Sequence, residues 1–372
     1  MVSFFCLYLQ QIQLKKMENQ HADYLIVGQG LCGTFLSYYL LQQGKKVLVI
    51  DNENPQTASK VASGIINPVT GRRIVRTWRI EELLPYAGKA YNTIGTELNA
   101  SLIKQSAVID FHPSLQMKEA FEKRQPEEPD YLQLTNSEDW AEYFQFYFGT
   151  GKISPCLLVD VQTLLRKWQE KLHHENVLLF ETFHIMDCVV HEDCVAYKNI
   201  TASKIIFCDG AVGTENRYFK NLPFALNKGE ALIASIPDLP ADYIYKQGIS
   251  IVPWKNGLFW IGSNYQWDFE DDKPSPAFKD NVTKQLKNWL KIPFEITDHL
   301  AAVRPANVER RPFVGLHPTH KSIGIFNGMG TKGCSLAPFF AKQFADYLTE
   351  DKPLYPEVDV KRFKNVLNRK GI

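Results

Sequence analysis

The sequence predicts an α/β protein in two parts: a helix-covered parallel sheet, and an α+β part built on a mostly antiparallel sheet. Three observations predict it. An apolar run at residues 23–27 ends in glycines, an apolar helix-like run follows at 31–41, and a second apolar run occupies 47–50. That succession reads as a βαβ unit, whose crossover is right-handed by default. Residues 224–266 instead alternate apolar and polar side chains, and Asn256-Gly257 stands between two strand-like runs, the mark of an antiparallel hairpin. Finally, 372 residues exceed one ordinary domain.

The elements follow in order. Residues 23–27 read as a buried strand and 31–41 as a helix packed on a sheet, with Gly44 placed as the glycine just past its end. Residues 47–50 form the next strand, closed by Asp51. Residues 52–77 read as loop and helix, and 79–149 as helical and irregular, rich in aromatics at 143–148. An amphipathic helix is expected at 160–173, short strands at 177–180, 188–190 and 194–197, and a buried strand at 204–208. In the alternating block, turns are expected at Lys228-Gly229 and at Asn256-Gly257. Residues 278–290 read as a helix and 323–326 as a last strand, after which Pro338 is expected to open a helix to about residue 348.

Composition narrows the class. Hydrophobic residues make up 45% and charged residues 22%, normal for a globular protein. The formal net charge of +1 provides no global field toward nucleic acid or anionic lipid. The seven cysteines are odd in number and form no CxxC pair, so neither a zinc site nor a disulfide framework is expected. The apolar stretch at 2–9 lacks a basic flank and a cleavage site, and is too short to span a bilayer. Translation is expected to start at Met17, with residues 1–16 an upstream extension or tail, and the cytoplasm is the default location.

The first chemistry-bearing segment is Gly28-Gln29-Gly30-Leu31-Cys32-Gly33. It follows a strand, opens a helix and has Asp51 about 20 residues on, the context a Rossmann-type dinucleotide site requires. Gly28 permits the tight turn, Gly30 admits a pyrophosphate to the backbone, and Gly33 lets helix and strand pack closely. The helix start at Leu31 offers free N–H groups to phosphate, and Asp51, with Asn52 beside it, faces the ribose. This fingerprint does not separate FAD from NAD.

Further segments do. Ala62-Ser63-Gly64-Ile65-Ile66 is a small-residue stretch, followed by Asn67-Pro68-Val69-Thr70-Gly71-Arg72-Arg73, a basic loop. Phe180-Glu181-Thr182-Phe183-His184-Ile185, Phe207-Cys208-Asp209-Gly210-Ala211, Asn227-Lys228-Gly229-Glu230 and the hairpin 254–263 come next. Last are Val303-Arg304-Pro305, Arg311-Pro312-Phe313-Val314-Gly315, and Asn327-Gly328-Met329-Gly330-Thr331-Lys332-Gly333. In this order they resemble the D-amino-acid-oxidase-like superfamily of FAD enzymes, which includes glycine oxidase and sarcosine oxidase, over roughly residues 22–350.

The resemblance implies FAD as cofactor. It implies contacts from Ala62, Ser63, Gly64 and Ile65 along the flavin, from Ile185 on a strand at the adenine, and from Asp209 and Gly210 in a second glycine turn. Gly328, Gly330, Thr331, Lys332 and Gly333 match the loop at the flavin edge. The helix beyond that loop would point its positive end the same way. Arg304 matches the arginine that grips a substrate carboxylate. Lys332 would add charge at the flavin or help activate oxygen, the alternative being a solvent-exposed side chain.

Ser250 and Thr331 stand where glycine oxidase carries a Tyr and an Arg, so the substrate side departs from glycine. Gly330-Thr331-Lys332-Gly333 is also similar to the final loop in the oxidase half of the bifunctional enzyme that makes methylaminomethyl-uridine in tRNA. In sarcosine oxidase of the family it resembles, a cysteine near the Arg304 region holds the flavin covalently; Ala306, Asn307 and Val308 follow Arg304-Pro305 here, so the resemblance implies non-covalent FAD.

The resulting division gives a tail or mis-called start at 1–20, and a discontinuous FAD-binding domain at 21–85, 150–222 and 300–350. A substrate domain is inserted at 86–149 and 223–299, and a C-terminal tail occupies 351–372. The implied reaction is oxidation of a C–N bond in a small amine or amino acid by hydride transfer to flavin N5, giving an imine that water hydrolyses. Oxygen or another acceptor then takes the electrons. The alternatives are an oxidase of a carboxymethylaminomethyl group in modified tRNA, which the charge balance disfavours, a 2-hydroxy-acid dehydrogenase, or a catalytically silent flavin-binding protein. A homo-oligomer is compatible with the sequence, and a membrane association is not expected.

Overall fold

The computed structural model describes residues 19–71 and 74–368. The expected extension at 1–16, its start at Met17, and Arg72 and Arg73 lie outside the described residues.

One sheet is parallel at its heart. Leu178–Phe180, Val47–Asp51, Gln20–Val27, Ile200–Phe207 and Ile323–Asn327 lie side by side in that order, all parallel. The helix Leu31–Gln42 joins the first two strands of the chain. It ends in a Schellman motif: Lys45 N–H reaches the Leu40 carbonyl at 3.0 Å, Gly44 N–H reaches that of Leu41 at 2.9 Å, and Gly44 has φ +71°. With Ile80–Glu97, Val161–His174 and Gly333–Glu350 this helix covers one face, through buried Phe35, Tyr91, Trp168 and Phe340. The opposite face packs on Val195, Tyr197, Phe219 and Val360.

The second sheet is antiparallel but for one pair. Its order is Glu295–Arg304, Asn227–Ser235, Leu258–Gly262, Ile249–Pro253, Tyr243–Gln247, Ile103–Phe111, Thr150–Val159 and Ile65–Ile66, with Leu132–Leu134 added beside Thr150–Val159. Tyr243–Gln247 and Ile103–Phe111 run parallel. One face buries Ile109, Tyr245 and Ile251 under the helix Pro276–Trp289. The other face carries Val108, Ile244, Val252 and Trp260. The expected Asn256-Gly257 hairpin forms, both residues taking positive φ (57° and 72°), with Val252 paired to Trp260.

Four expectations are corrected. Residues 79–149 are not helical throughout: they contain the nine-residue strand Ile103–Phe111, whose mixed IKQSAVIDF pattern hides a half-buried strand. Lys228-Gly229 is not a turn but lies within Asn227–Ser235, where Gly229 serves a close approach described below. The strand expected over 180–185 stops at Phe180, because its partner ends at Asp51, and Ile185 begins a short 3-10 turn instead. Pro338 does not open the last helix, which starts at Gly333 and contains it. A proline there removes the N–H that would bond the carbonyl four residues back, at Cys334. Tyr91 Oη donates to that carbonyl at 2.9 Å, so the buried acceptor keeps a partner.

Candidate cofactor and substrate site

The parallel strands end at a cavity of about 1630 Å³ shared with the second sheet. A drug-sized ligand site is roughly 300–1,000 Å³, so there is room for a dinucleotide and a substrate together.

The glycine turn is shaped by contacts that no side chain would survive. Gly28 has φ +97°, and a Cβ on it would stand 2.5 Å from the Cys208 carbonyl oxygen. A Cβ on Gly33 would stand 1.8 Å from the Gly28 carbonyl oxygen. Gly30 precedes the helix without a side-chain cap, which leaves first-turn N–H groups facing the cavity, and Ser59 Oγ accepts from Leu31 N–H at 3.1 Å. Asp51 is fixed at the end of its strand: its carboxylate accepts from Gln29 N–H at 2.7 Å and Glu53 N–H at 2.8 Å. Donors for phosphate, a carboxylate for hydroxyls and a backbone bare of Cβ atoms fit a dinucleotide.

Most of the sequence-predicted residues meet at this cavity. Asn52, Ala62, Ser63, Gly64, Ile65, Ile185, Asp209, Gly210, Ser250, Arg304, Gly330, Thr331, Lys332 and Gly333 line it with Gly28, Gly30, Leu31 and Asp51. Gly33 and Gly328 do not reach it. Gly33 closes helix onto strand, and Gly328, at φ +77°, packs against Phe313 and Asn307 behind the loop. Asp209 sits at the end of its strand, where burial raises its carboxyl to about 6 and Asn327 donates to it at 2.9 Å.

Arg304 is held rather than free. Its Nη1 donates to Asn227 Oδ1 at 2.8 Å and the Asn264 carbonyl at 3.1 Å, and Nη2 donates to Ser263 Oγ at 2.7 Å. Tyr265 stacks on the guanidinium at 5.0 Å. Burial pulls its pKa below the usual guanidinium range, and its bonded partners are all uncharged. Lys332 is half-buried, not solvent-exposed. Its Nζ bonds Thr77 Oγ1 at 3.1 Å, and burial, with Arg310 second, lowers it to about 8. Because the last helix begins at Gly333, Lys332 caps it, and its positive end lies a full turn nearer the glycine loop than expected.

Ser59, Thr77, Asn264 and Tyr265 carried no signal in the sequence, and Asn227 and Ser263 stood in motifs that read as structural, without a site role. Each is a common residue made important only by a partner distant in the chain. The one local signal was the glycine at 229, two residues from Asn227.

Among the described residues no helix is long and apolar enough to cross a membrane. The chain matches the family described as DAO, FAD dependent oxidoreductase, over residues 23–347. It is 20% identical over 349 residues to a glycine oxidase of Bacillus subtilis (strain 168), covering 89% of this chain and 94% of that protein. Its fold is similar to a glycine oxidase from Bacillus cereus ATCC 14579, with TM-score 0.77, 16% identity, and coverage of 94% and 99% of the two chains. It is similar also to an L-proline dehydrogenase from P. horikoshii, with TM-score 0.74, 15% identity, and coverage of 93% and 98%. The fingerprint, the two sheets and the match over most of its length place this chain in the DAO family of FAD-dependent oxidoreductases.

Proposed function

We propose that this enzyme oxidises a C–N bond in a small amine or amino acid that carries a carboxylate. The observation that supports the reading is Arg304. Of five guanidinium N–H donors, three are used by Asn227, Asn264 and Ser263, which leaves two for a ligand at the cavity wall. A half-buried cation whose bonded partners are uncharged favours an anionic ligand.

FAD bound along Gly28, Gly30, Asp51, the 62–65 segment and the 330–333 loop supplies the acceptor for a hydride from the carbon bearing nitrogen. The chain's own residues do the rest. Arg304 fixes the carboxylate and so the orientation of that carbon. Gly229 and Gly262 add no side chains of their own, which leaves room for the Arg304 guanidinium and the Trp260 ring at the cavity wall. Lys332 and the helix start at Gly333 place positive potential where electrons arrive. No side-chain base is required, since a neutral amine releases a hydride directly. Cys32, Cys208 and Cys334 border the cavity, but burial pushes all three thiols up, Cys334 to about 12, so none is a ready nucleophile for the cofactor. We therefore assign FAD as non-covalent.

The test is the anaerobic visible spectrum of the purified protein with a panel of small amino acids and N-methyl amines. Bleaching of the flavin bands by carboxylate-bearing amines is expected. Arg304→Met should raise the concentration for half-bleaching by about a hundredfold or more. A panel that leaves the bands intact, or an Arg304→Met protein bleached as readily as the parent, rejects the reading.

A further inference from the structure

The pocket-facing side of the second sheet carries a row of directly paired residues. Asp110 pairs with Lys246, Lys246 with Ser250, and Ser250 with Gly262. Paired residues in a sheet point to the same face. All four line the cavity that Arg304 lines, and Gly229, under the Arg304 guanidinium, is on the next strand. The floor between the two cations is therefore Gly262 and Ser250, with Ala231 paired directly to Gly262 and the Trp260 ring at its side. At the far end Lys246 Nζ bonds Asp110 Oδ2 at 3.2 Å, with the Asp110 side chain 9% exposed and that of Lys246 29%.

We infer that Lys246 and Asp110 form a second substrate subsite, which takes the distal, charged end of an elongated substrate whose proximal carboxylate lies on Arg304. This rests on the reading of Arg304 given above. Lys246 is in register, through Ser250 and Gly262, with Ala231, so Gly229 stands three strand spacings and two residues away, about 16 Å. A chain of eight bonds between two carboxylate carbons extends roughly 10 Å. Charge-assisted hydrogen bonds of about 2.8 Å at each end complete the span. Lys246 matches a distal carboxylate, and the neighbouring Asp110 matches an ammonium beside it. The substrate class is an amino acid joined through its side-chain nitrogen to a carboxyalkyl group, oxidised at that secondary amine. Nε-(carboxymethyl)lysine has this constitution and this length. The low floor of Ala231, Gly262 and Ser250 lets such a chain lie across the strands, and a two-carbon amino acid leaves the Lys246 end unfilled.

Binding without turnover tests the subsite. Linear dicarboxylates from malonate to sebacate are titrated into the FAD-loaded protein, and the shift of its visible bands is followed. Affinity is expected to rise with length to a maximum near azelate, about tenfold tighter than succinate. Lys246→Met should flatten that dependence. Asp110→Asn, which frees the lysine from its internal acid, should tighten the long diacids, an effect of opposite sign that misfolding does not mimic. Affinities independent of length, or a maximum that survives Lys246→Met, overturn the subsite. Flavin bleaching by Nε-(carboxymethyl)lysine is read separately. A diacid maximum without bleaching by any amine keeps the subsite and rejects the C–N reaction.

Discussion

The Arg304 guanidinium occupies the space a side chain on Gly229 would need. A β-carbon there would stand 1.8 Å from Nη2 and 2.0 Å from Cζ. The two residues lie on neighbouring strands, with Asn227 opposite Arg304 and Gly229 opposite Ala302. The arginine thus lies back along its neighbour's bare backbone, where Asn227 and Ser263 hold it flat.

Gly229→Ala should therefore displace the guanidinium while leaving the dinucleotide turn intact. The flavin spectrum and FAD content are expected to match the parent. Carboxylate affinity should fall about a hundredfold, the loss of two hydrogen bonds to a charged group. Titration of acetate or benzoate by visible difference spectra measures it. An unchanged affinity would show that the glycine serves packing alone.

Lys332 sets a pH dependence with a definite sign. In the folded chain burial lowers its ammonium to about 8, against about 10.4 in an unfolded chain. Between those values the unfolded chain holds a proton that the folded chain lacks, so this group's contribution makes stability rise with pH across the window. Thermal unfolding of FAD-free Lys332→Met should lack that rise when compared with the parent between pH 8 and 10. Carboxylate binding in the cavity should weaken in the parent as pH rises through about 8 and show no such step in Lys332→Met.

Tyr91 and Pro338 are coupled through one carbonyl. Tyr91→Phe strips the buried Cys334 oxygen of its partner and should destabilise the protein by about 1–3 kcal/mol in denaturant unfolding. Pro338→Ala returns a backbone N–H to that oxygen. In that background Tyr91→Phe should cost clearly less. Equal costs in the two backgrounds would place the role of Tyr91 in packing instead.

The first βαβ unit was fully legible because its determinants are local. The apolar run at 23–27, the spacing of Gly28, Gly30 and Gly33, and Asp51 at the close of the next strand lie within about 30 residues. Each obeys a local rule, to which the approach of the distant Cys208 carbonyl to Gly28 only adds. The hairpin at Asn256-Gly257 and the end at Gly44 are of the same kind, positions where positive φ dictates the residue. The family order of motifs added the cofactor, since the fingerprint alone is shared by FAD and NAD sites.

What the sequence determined by itself was thus the dinucleotide turn and the alternation of parallel and antiparallel parts, and the resemblance singled out the arginine at 304. Only the tertiary structure decided that Gly229 is a mid-strand landing for that arginine, and that Lys332 is half-buried on Thr77. It alone brought Asp110 and Lys246, 136 residues apart, onto the same cavity wall. The reason is register. Which side chains share a sheet face depends on how strands distant in the chain are paired. A shift of one residue would turn every one of them away from the site.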